Sequence, residues 1–583
     1  MVQSTPTQTL EQENLAQKAN LQLGAAIKKT YQQLVDERTP LERIWKDAYR
    51  YTFPLKGQYL ISKQTNGITN AVNAQNDLSS LFDSTASESV SLLASSILSG
   101  LTPSASQWFQ FRIPNMKFDE LPSNVRNWME HAAKVLFSAI HNASNFNAVA
   151  IEAFEELAIA GMFALYISKE PGQPFVFELW PLDTLYVQED PKTGTINTIY
   201  RLLALTPAEA ETNFGFDSLP DKIKSILETR PDSIQKFEFI HCIRPRTERN
   251  SKFSSKLTKD LPYASIYVCR QSGKIVKESG YYELPMAVPR WTKLPRTPYA
   301  VGPINKALPD IKTLNKVVEM MLMNEEMAIA GTYVAKADGY LNPNTIKIGA
   351  RKVIFAQDPK NIIPLATGGD FRIAFEEITR LQRQIKSVMM ADELEPIQKN
   401  YASATEVAQR SQLVRQILAP TFARLNSEFL EALLNRTFQL ALRDGTIPPP
   451  PQELANVTIV PEYMSSMARA QKMEEVTAMT QFEQSLGASA QLNPAILDIY
   501  DFDGATIKKA ALLGVPSDVI KTKAQVKMLR DEKLRQQQAA QQQAMQQQMM
   551  SDPRMMKVGM EAMGGPEGVQ QVMQQVSQQQ EGQ

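Results

Sequence analysis

PINKALPDIKTLNKVVEMMLMNEEMAIAG, residues 303–331, decides the fold. Leu308, Ile311, Leu314, Val318, Met321 and Leu322 recur three or four apart, so one apolar stripe runs along a helix. Pro303 suits the opening turn and Gly331 closes it. At 1.5 Å per residue this rod is about 40 Å long. TYVAKADGYLNPNTIKIGARKVIFAQDPKNIIPLATGGD follows, where the period drops from 3.6 to 2 and Asp338-Gly339, Asn342-Pro343, Gly349 and Gly368-Gly369 punctuate short apolar runs. That pattern predicts a small β-containing module. A second helix, FRIAFEEITRLQRQIKSVMMAD, starts at Phe371 and puts Ile378, Leu381, Ile385 and Val388 on one side. Two rods flanking a small sheet bury little surface alone, so they need neighbours.

Beyond residue 392 the pattern breaks at ELEPIQKNYASA. A third helix opens at Thr405, and Glu406, Val407, Leu413, Ile417, Leu418, Phe422, Leu425, Phe429, Leu433 and Phe438 carry its stripe to about Leu442. Pro420 lies inside it. An interior proline loses a backbone hydrogen bond and clashes with the preceding turn, which predicts a kink at 416–420.

The 583 residues allow two to four domains, and 43% hydrophobic content supports a large core. Lys+Arg and Asp+Glu both number 62, so the basic excess that drives non-specific nucleic-acid binding is absent. Two cysteines, Cys242 and Cys269, make no disulfide framework and point to a reducing compartment. The polar first twenty residues show no secretory signal, and no apolar run approaches bilayer length. The expectation is a protein that is cytosolic at synthesis, with no membrane partner.

The remaining segments read in order. Residues 1–20 are expected to fray, and 21–52 to be helical. In LFDSTASESVSLLASSILSGLTPSASQWFQFRIP, Asp83 or Ser84 caps a thin Ser/Ala-rich helix that ends at Gly100, and Trp108, Phe109 and Phe111 enter a strand or turn. Helices are expected at 125–140 and 147–161, then mostly strands from 162 to 282, interrupted by one helix at 207–227. A strand is expected at 457–460. From 464 the chain reads helical, with breaks at Gly487, Asn493-Pro494, Gly504 and Gly514–Pro516. The Gln/Met-rich end from 536 lacks anchoring apolar residues and reads as disorder or a fraying helix.

Catalytic patterns are missing. Ser272-Gly273-Lys274-Ile275 has no upstream glycine and no following Ser or Thr, so it reads as a turn rather than a phosphate loop. His131, His141 and His241 share no ligand spacing, and Glu152, Glu155 and Glu156 read as a solvated acidic face. No catalytic, cofactor-binding or metal-binding residue is assigned, and no cofactor is expected. Methionines at 320–327, 389–390 and 545–563 read as adaptable packing. Arg380, Arg383 and Lys386 form a row that either faces phosphate or is a solvated face paired with Glu376 and Glu377. Lys399, Asn400 and Tyr401 end a loop that touches DNA if it lines a pore and is a linker otherwise.

Taken together, LFDSTASESVSLLASSILSGLTPSASQWFQF (81–111), YAVGPINKALPDIKTLNKVVEMMLMNEEMA (299–328) and TEVAQRSQLVRQILAPTFARLNSEFLEALLNRTFQLALRDGTIPPPP (405–451) resemble the head-to-tail connector, or portal, proteins of short-tailed bacteriophages. The resemblance spans most of residues 20–465. It implies a helix-rich mixed α+β portal fold, non-enzymatic, assembled as a dodecameric ring around double-stranded DNA. Carried over, residues 1–302 form the wing, 303–331 and 371–391 the paired stem helices, and 332–370 a small α/β clip. Residues 392–404 form the tunnel loop, 405–443 the kinked tunnel helix, and 444–465 the return to the wing. Residues 466–535 form a helical crown, ahead of the tail at 536–583. The implied partners are DNA, the terminase large subunit, the major capsid protein, tail adaptor and tail proteins, and scaffold or internal core proteins. The implied location is the capsid vertex. Arg380, Arg383, Lys386, Lys399, Asn400 and Tyr401 are its candidate channel residues. Another structural virion component, such as a scaffold or tail adaptor, is the competing expectation, ahead of an enzyme with an unrecognised site.

Overall fold

The computed structural model describes residues 6–61, 78–114, 116, 121–246, 260–330, 333–335, 362–364, 371–391, 420–454, 457–464, 466–490, 493–513, 515, 521 and 523–551. It divides into two compact units, residues 1–115 with 128–466, and residues 116–127 with 467–583.

The first unit begins with α1 (Pro6–Arg50) and α2 (Pro54–Ile61). Helix α1 starts at Pro6, so the expected frayed segment is mostly helical. Next come α3 (Thr85–Leu101), β1 (Phe109–Arg112), α4 (Ser123–His141) and α5 (Phe146–Ala160). Helix α3 is thin, as its Ser/Ala content predicts. Ala86, Ser89, Val90, Leu93, Ala94 and Ile97 are buried as it packs on α5. Its N-cap Ser84 makes no side-chain cap bond; Asp83 Oδ1 instead accepts from the Thr85 amide at 2.9 Å.

Strands β2 (Leu165–Glu170) and β3 (Gln173–Leu179) pair, and β4 (Leu185–Glu189) and β5 (Ile196–Leu205) start a second sheet. The expected helix at 207–227 is two helices, α6 (Pro207–Phe214) and α7 (Asp221–Thr229). Gly215, at φ 79, ends the first, and Pro220 caps the second in extended backbone. Thr206 and Glu209 close a capping box on α6. Strands β6 (Phe237–Pro245), β7 (Tyr263–Cys269) and β8 (Ile275–Tyr281) complete a five-stranded antiparallel sheet in the order β4-β5-β6-β7-β8.

Alternation along β6 explains why this sheet is buried on both faces. Phe237 and Phe239 point to α6 and α7, where they meet Ala210, Leu219, Ile223 and Leu227. Ile240 and Cys242 point the other way, onto Ile27, Tyr31 and Leu34 of α1. One turn further along α1, Arg38 is 1% exposed. It donates to the carbonyls of Leu182 (2.6 Å), Asp183 (2.6 Å) and Leu185 and to Glu42 (2.7 Å), with its guanidinium 3.7 Å from the Tyr186 ring centroid. That arginine satisfies the carbonyls of the turn leading into β4.

Short strands β9 (Met286–Ala287), β10 (Thr292–Lys293) and β11 (Ala300–Val301) lead to α8 (Ile304–Ala330), then β12 (Tyr333–Ala335), β13 (Ile362–Pro364) and α9 (Phe371–Val388). Strands β12 and β13 pair antiparallel between the two rods. Past residue 420 the chain is helical to 425, makes a π turn at Asn426–Leu430, and continues as α10 (Glu431–Asp444). Strand β14 (Val460–Tyr463) lies three residues beyond the expected 457–460, because Phe109↔Tyr463 and Arg112↔Val460 set its register against β1.

The second unit contains α11 (Ser466–Ala490), α12 (Phe502–Leu513) and α13 (Lys523–Ser551). Gly487 and Gly504 were expected to break helices, yet each lies inside one. The Asp501 Oδ1 cap on the Gly504 amide, 2.9 Å, explains the second case. Helix α13 extends to Ser551, so the Gln-rich run is helical over 536–551, and residues 552–583 lie outside the described set. Among the described residues no helix is long and apolar enough to cross a membrane.

Candidate functional site

The two rods are held differently at their two ends. Ile304, Ala307, Ile311, Leu314 and Val318 of α8 and Ile378, Leu381 and Ile385 of α9 are buried. Their far halves are not: Met320, Leu322 and Met323 on α8 and Ile373 and Phe375 on α9 are 43–66% exposed. Leu322, expected on the packed stripe, is among them. Isolated exposed apolar residues are ordinary, but five on two packed rods, on more than one side of each helix, leave the far halves with apolar surface uncovered.

The roots of the rods are tied by polar contacts. Asn315 Nδ2 donates to the Ser80 carbonyl at 2.9 Å, and its Oδ1 accepts from the Phe82 amide at 2.8 Å. Lys312 pairs with Asp47 at 2.6 Å, and Gln382 donates to Asp83 Oδ2 at 2.8 Å. Arg380 forms an ion pair with Glu377 at 2.5 Å on its own helix, which raises the arginine and lowers the glutamate in pKa through their hydrogen bond. Arg383 and Lys386 line a cleft of about 390 Å³ with Asp83, Ser84, Thr85 and Glu88. The three basic residues therefore sit among acidic neighbours rather than in one uninterrupted row. Lys399, Asn400 and Tyr401 lie outside the described residues. Pro420 is the first described residue of its helix and is exposed, and 416–419 fall outside the description.

A distortion of this helix sits downstream of the expected kink. In the π turn, the Glu431 amide reaches back to the Asn426 carbonyl. Phe422, Leu425, Phe429, Leu433 and Phe438 step by three, four, four and five residues, longer on average than an α-helix turn, and that drift is the only sequence trace of it. Within the turn Phe429 and Leu430 are fully buried, with Phe429 edge-on to Phe154 and Phe163 at 5.5 Å. Glu428 holds Arg290, which is 2% exposed. Oε2 accepts from the Arg290 amide at 2.9 Å and Oε1 from its guanidinium at 2.6 Å. The same guanidinium reaches Glu189 at 3.2 Å and the Gly194 carbonyl at 2.8 Å. Arg424 donates to the Trp291 carbonyl at 3.0 Å. The turn therefore fastens the long helix to the connector that precedes α8, a pairing 138 residues apart that periodicity does not reveal.

Two of the three histidines are accounted for by packing. His141 Nδ1 bonds Asn147 Oδ1 at 2.8 Å and its Nε2 accepts from Trp108 Nε1 at 2.9 Å, consistent with one neutral tautomer; burial lowers its pKa. His241 stacks on Tyr267 and bonds Ser265 at 2.9 Å, and burial holds it down at about 3. His131 on α4 is exposed. Among the described residues no group of three or more His, Cys, Asp or Glu could hold a metal ion.

Glu156 departs from the solvated acidic face expected of it. Its Oε2 is buried with no hydrogen-bond partner among the described residues. Desolvation pushes its pKa up to about 8; Lys56 opposes this, and Asp183, Glu152 and Glu155 add to it. A folded-state pKa above the unfolded value means that unfolding releases a proton. This contribution is complete below about pH 4.5 and is lost as pH rises toward 8. Glu156→Gln is expected to flatten that decline and to leave the protein more stable than its parent at pH 8. Urea unfolding from pH 5 to pH 8 measures it, and parallel curves for the two proteins would refute it.

A family model described as bacteriophage head to tail connecting protein matches residues 24–520. The chain is 25% identical over 519 residues to the probable portal protein of Bordetella phage BPP-1 and 27% identical over 533 residues to the portal protein of Salmonella phage epsilon15. Each alignment covers 86% of this chain and 89% of the relative. A chain from the neck of an empty gene transfer agent particle aligns over 74% of this one, and over 89% of its own length, at 14% identity and a TM-score of 0.32. The chain belongs to the bacteriophage head-to-tail connecting protein family. Its function is that of a phage portal, a structural part of the virion at the junction of head and tail.

Proposed function

We propose that copies of this chain close into a dodecameric ring whose central channel passes double-stranded DNA during packaging and ejection. The observation that carries this reading is the pair of rods, packed at their roots and apolar toward their far ends. A closed cyclic assembly covers such surface by laying each pair between the neighbouring copies. Within this reading residues 1–302 and 444–465 form the wing, 303–331 and 371–391 the stem, and 332–370 the clip. Residues 392–404 and 405–443 line the tunnel, and 466–535 make the crown. The clip docks the terminase large subunit and later the tail adaptor and tail. The wing meets the major capsid protein and scaffold or internal core proteins, after assembly in the host cytoplasm.

Formal neutrality suits a conduit. Each neutralised phosphate adds salt-dependent affinity, and a ring multiplies every contact, so a strongly basic lining would trap DNA. Arg380, Arg383, Lys386, Lys399, Asn400 and Tyr401 are the candidate channel contacts. Arg380→Glu combined with Arg383→Glu is expected to lower packaged DNA while rings still form, measured by DNA content per particle. Unchanged packaging would remove this row from the DNA path. Mass measurement with electron microscopy of purified protein tests the ring itself. A stable monomer of 65.3 kDa under all conditions, or a closed disc without a hole wide enough for a duplex, overturns it.

A further inference from the structure

A π turn holds one residue more than the α turn it replaces. At Asn426–Leu430 that extra residue separates a firmly anchored part of the helix from a less anchored one. Downstream, Leu433, Leu434 and Phe438 are at most 2% exposed, and Phe429 and Leu430 bury the last two positions of the turn. Upstream, only Leu425 among residues 420–427 is buried. Inside the turn, Asn426 Oδ1 is buried and has no hydrogen-bond partner among the described residues, so this arrangement leaves a polar atom unsatisfied.

Arg290 has a second carboxylate available. Glu428 belongs to the turn, whereas Glu189 sits at the end of β4 and stays with the sheet. If the π turn tightens to α geometry without loss of a residue, the described helix upstream of it, residues 420–425, rotates by about 100° and advances about 1.5 Å relative to α10. Glu428 then leaves the Arg290 amide and guanidinium and Arg424 leaves the Trp291 carbonyl, but the buried guanidinium retains Glu189 and the Gly194 and Pro298 carbonyls.

We infer that Asn426–Leu430 is a register switch in which the Glu428–Arg290 contact locks the upstream helix in one of two settings. Its geometry stands on the single chain; its use, to change which side chains the upstream helix presents to DNA, rests on the channel reading above.

Two variants test it in the full-length protein by hydrogen–deuterium exchange at residues 420–444, with packaging scored separately. Glu428→Gln weakens the lock while Arg290 keeps Glu189. It is expected to speed amide exchange at 420–430 by about tenfold and leave 431–444 unchanged. Deleting Ser427, an exposed residue, removes the spare residue and leaves a regular helix with both flanks oriented as they are now. It is expected to slow exchange at 420–430, to preserve rings, and to cut packaged DNA several-fold. Uniformly faster exchange through 431–444 in Glu428→Gln would make the contact a structural clamp and overturn the switch. So would unchanged exchange at 420–430 in that variant, or normal packaging by an intact ring carrying the deletion. Should the deletion fail to fold, Glu428→Gln decides alone. Failure of the unmodified chain to form rings would undo the channel reading only, since the exchange measurement does not depend on it.

Discussion

Arg38→Ala is expected to destabilise the protein by about 4 kcal/mol, read as the change in unfolding free energy from urea titration. The loss has three parts. The Leu182, Asp183 and Leu185 carbonyls lose their donor in a site where Arg38 is 1% exposed, so water does not readily replace it. An unsatisfied buried polar group costs about 1–3 kcal/mol. Glu42 loses its cation, and Tyr186 loses the guanidinium stacked on its ring. Arg38→Met separates these contributions, because it retains most of the volume and none of the donors. If the carbonyls dominate, Arg38→Met is nearly as damaging as alanine. If it unfolds like the parent, packing rather than hydrogen bonding is what the arginine supplies.

This arginine also shows where sequence reading stops. Helix α1 was legible because Leu41, Ile44, Trp45, Ala48 and Tyr49 keep helical spacing. The alternation along β6 likewise announced a strand. Neither pattern says that Arg38 turns inward, since its partners are carbonyls of a turn 144 to 147 residues away, and every residue has one. The same holds for Arg290 and Glu428: charged residues read as surface until a distant partner is known. Local chemistry was misjudged where two signals competed. Residues 207–227 read as one helix, but Gly215 and Pro220 split it. At Gly504 and Gly487 the helix won instead. The rods were legible from periodicity, but their uncovered outer halves were not, because a stripe does not state which part of it finds a partner in the same chain.

Gly302→Ala is the second change expected to have a large effect, and it concerns the joint at the root of the first rod. The last carbonyls of α5 serve three separate segments. Trp45 Nε1 donates to Ala160 at 2.9 Å, Asn305 Nδ2 to Ile159 at 3.3 Å, and the Trp291 amide to Gly161 at 2.7 Å. For all three to reach, the backbone entering α8 must lie directly on the end of α5. A Cβ at Gly302 would stand 2.8 Å from both the Ile159 oxygen and the Ala158 carbonyl carbon, backbone atoms that cannot rotate away. The reciprocal Cβ at Gly161 would meet the Val301 carbonyl and the Gly302 amide, and Gly161 also holds φ at +84°. Overpacking of this kind costs about 3 kcal/mol, and more where neither backbone can shift. Gly172 provides the control: its φ is +85°, but a Cβ there meets nothing within 4 Å. Gly172→Ala should therefore lose only the left-handed strain, about 1 kcal/mol. Gly161→Ala should lose that plus the clash, and Gly302→Ala the clash alone. Equal destabilisation by Gly161→Ala and Gly172→Ala would show that the joint can open by a few tenths of an ångström. In that case the root of α8 would not be fixed by backbone contact, and Asn305, Trp45 and Trp291 would have to hold it through their side-chain and amide bonds.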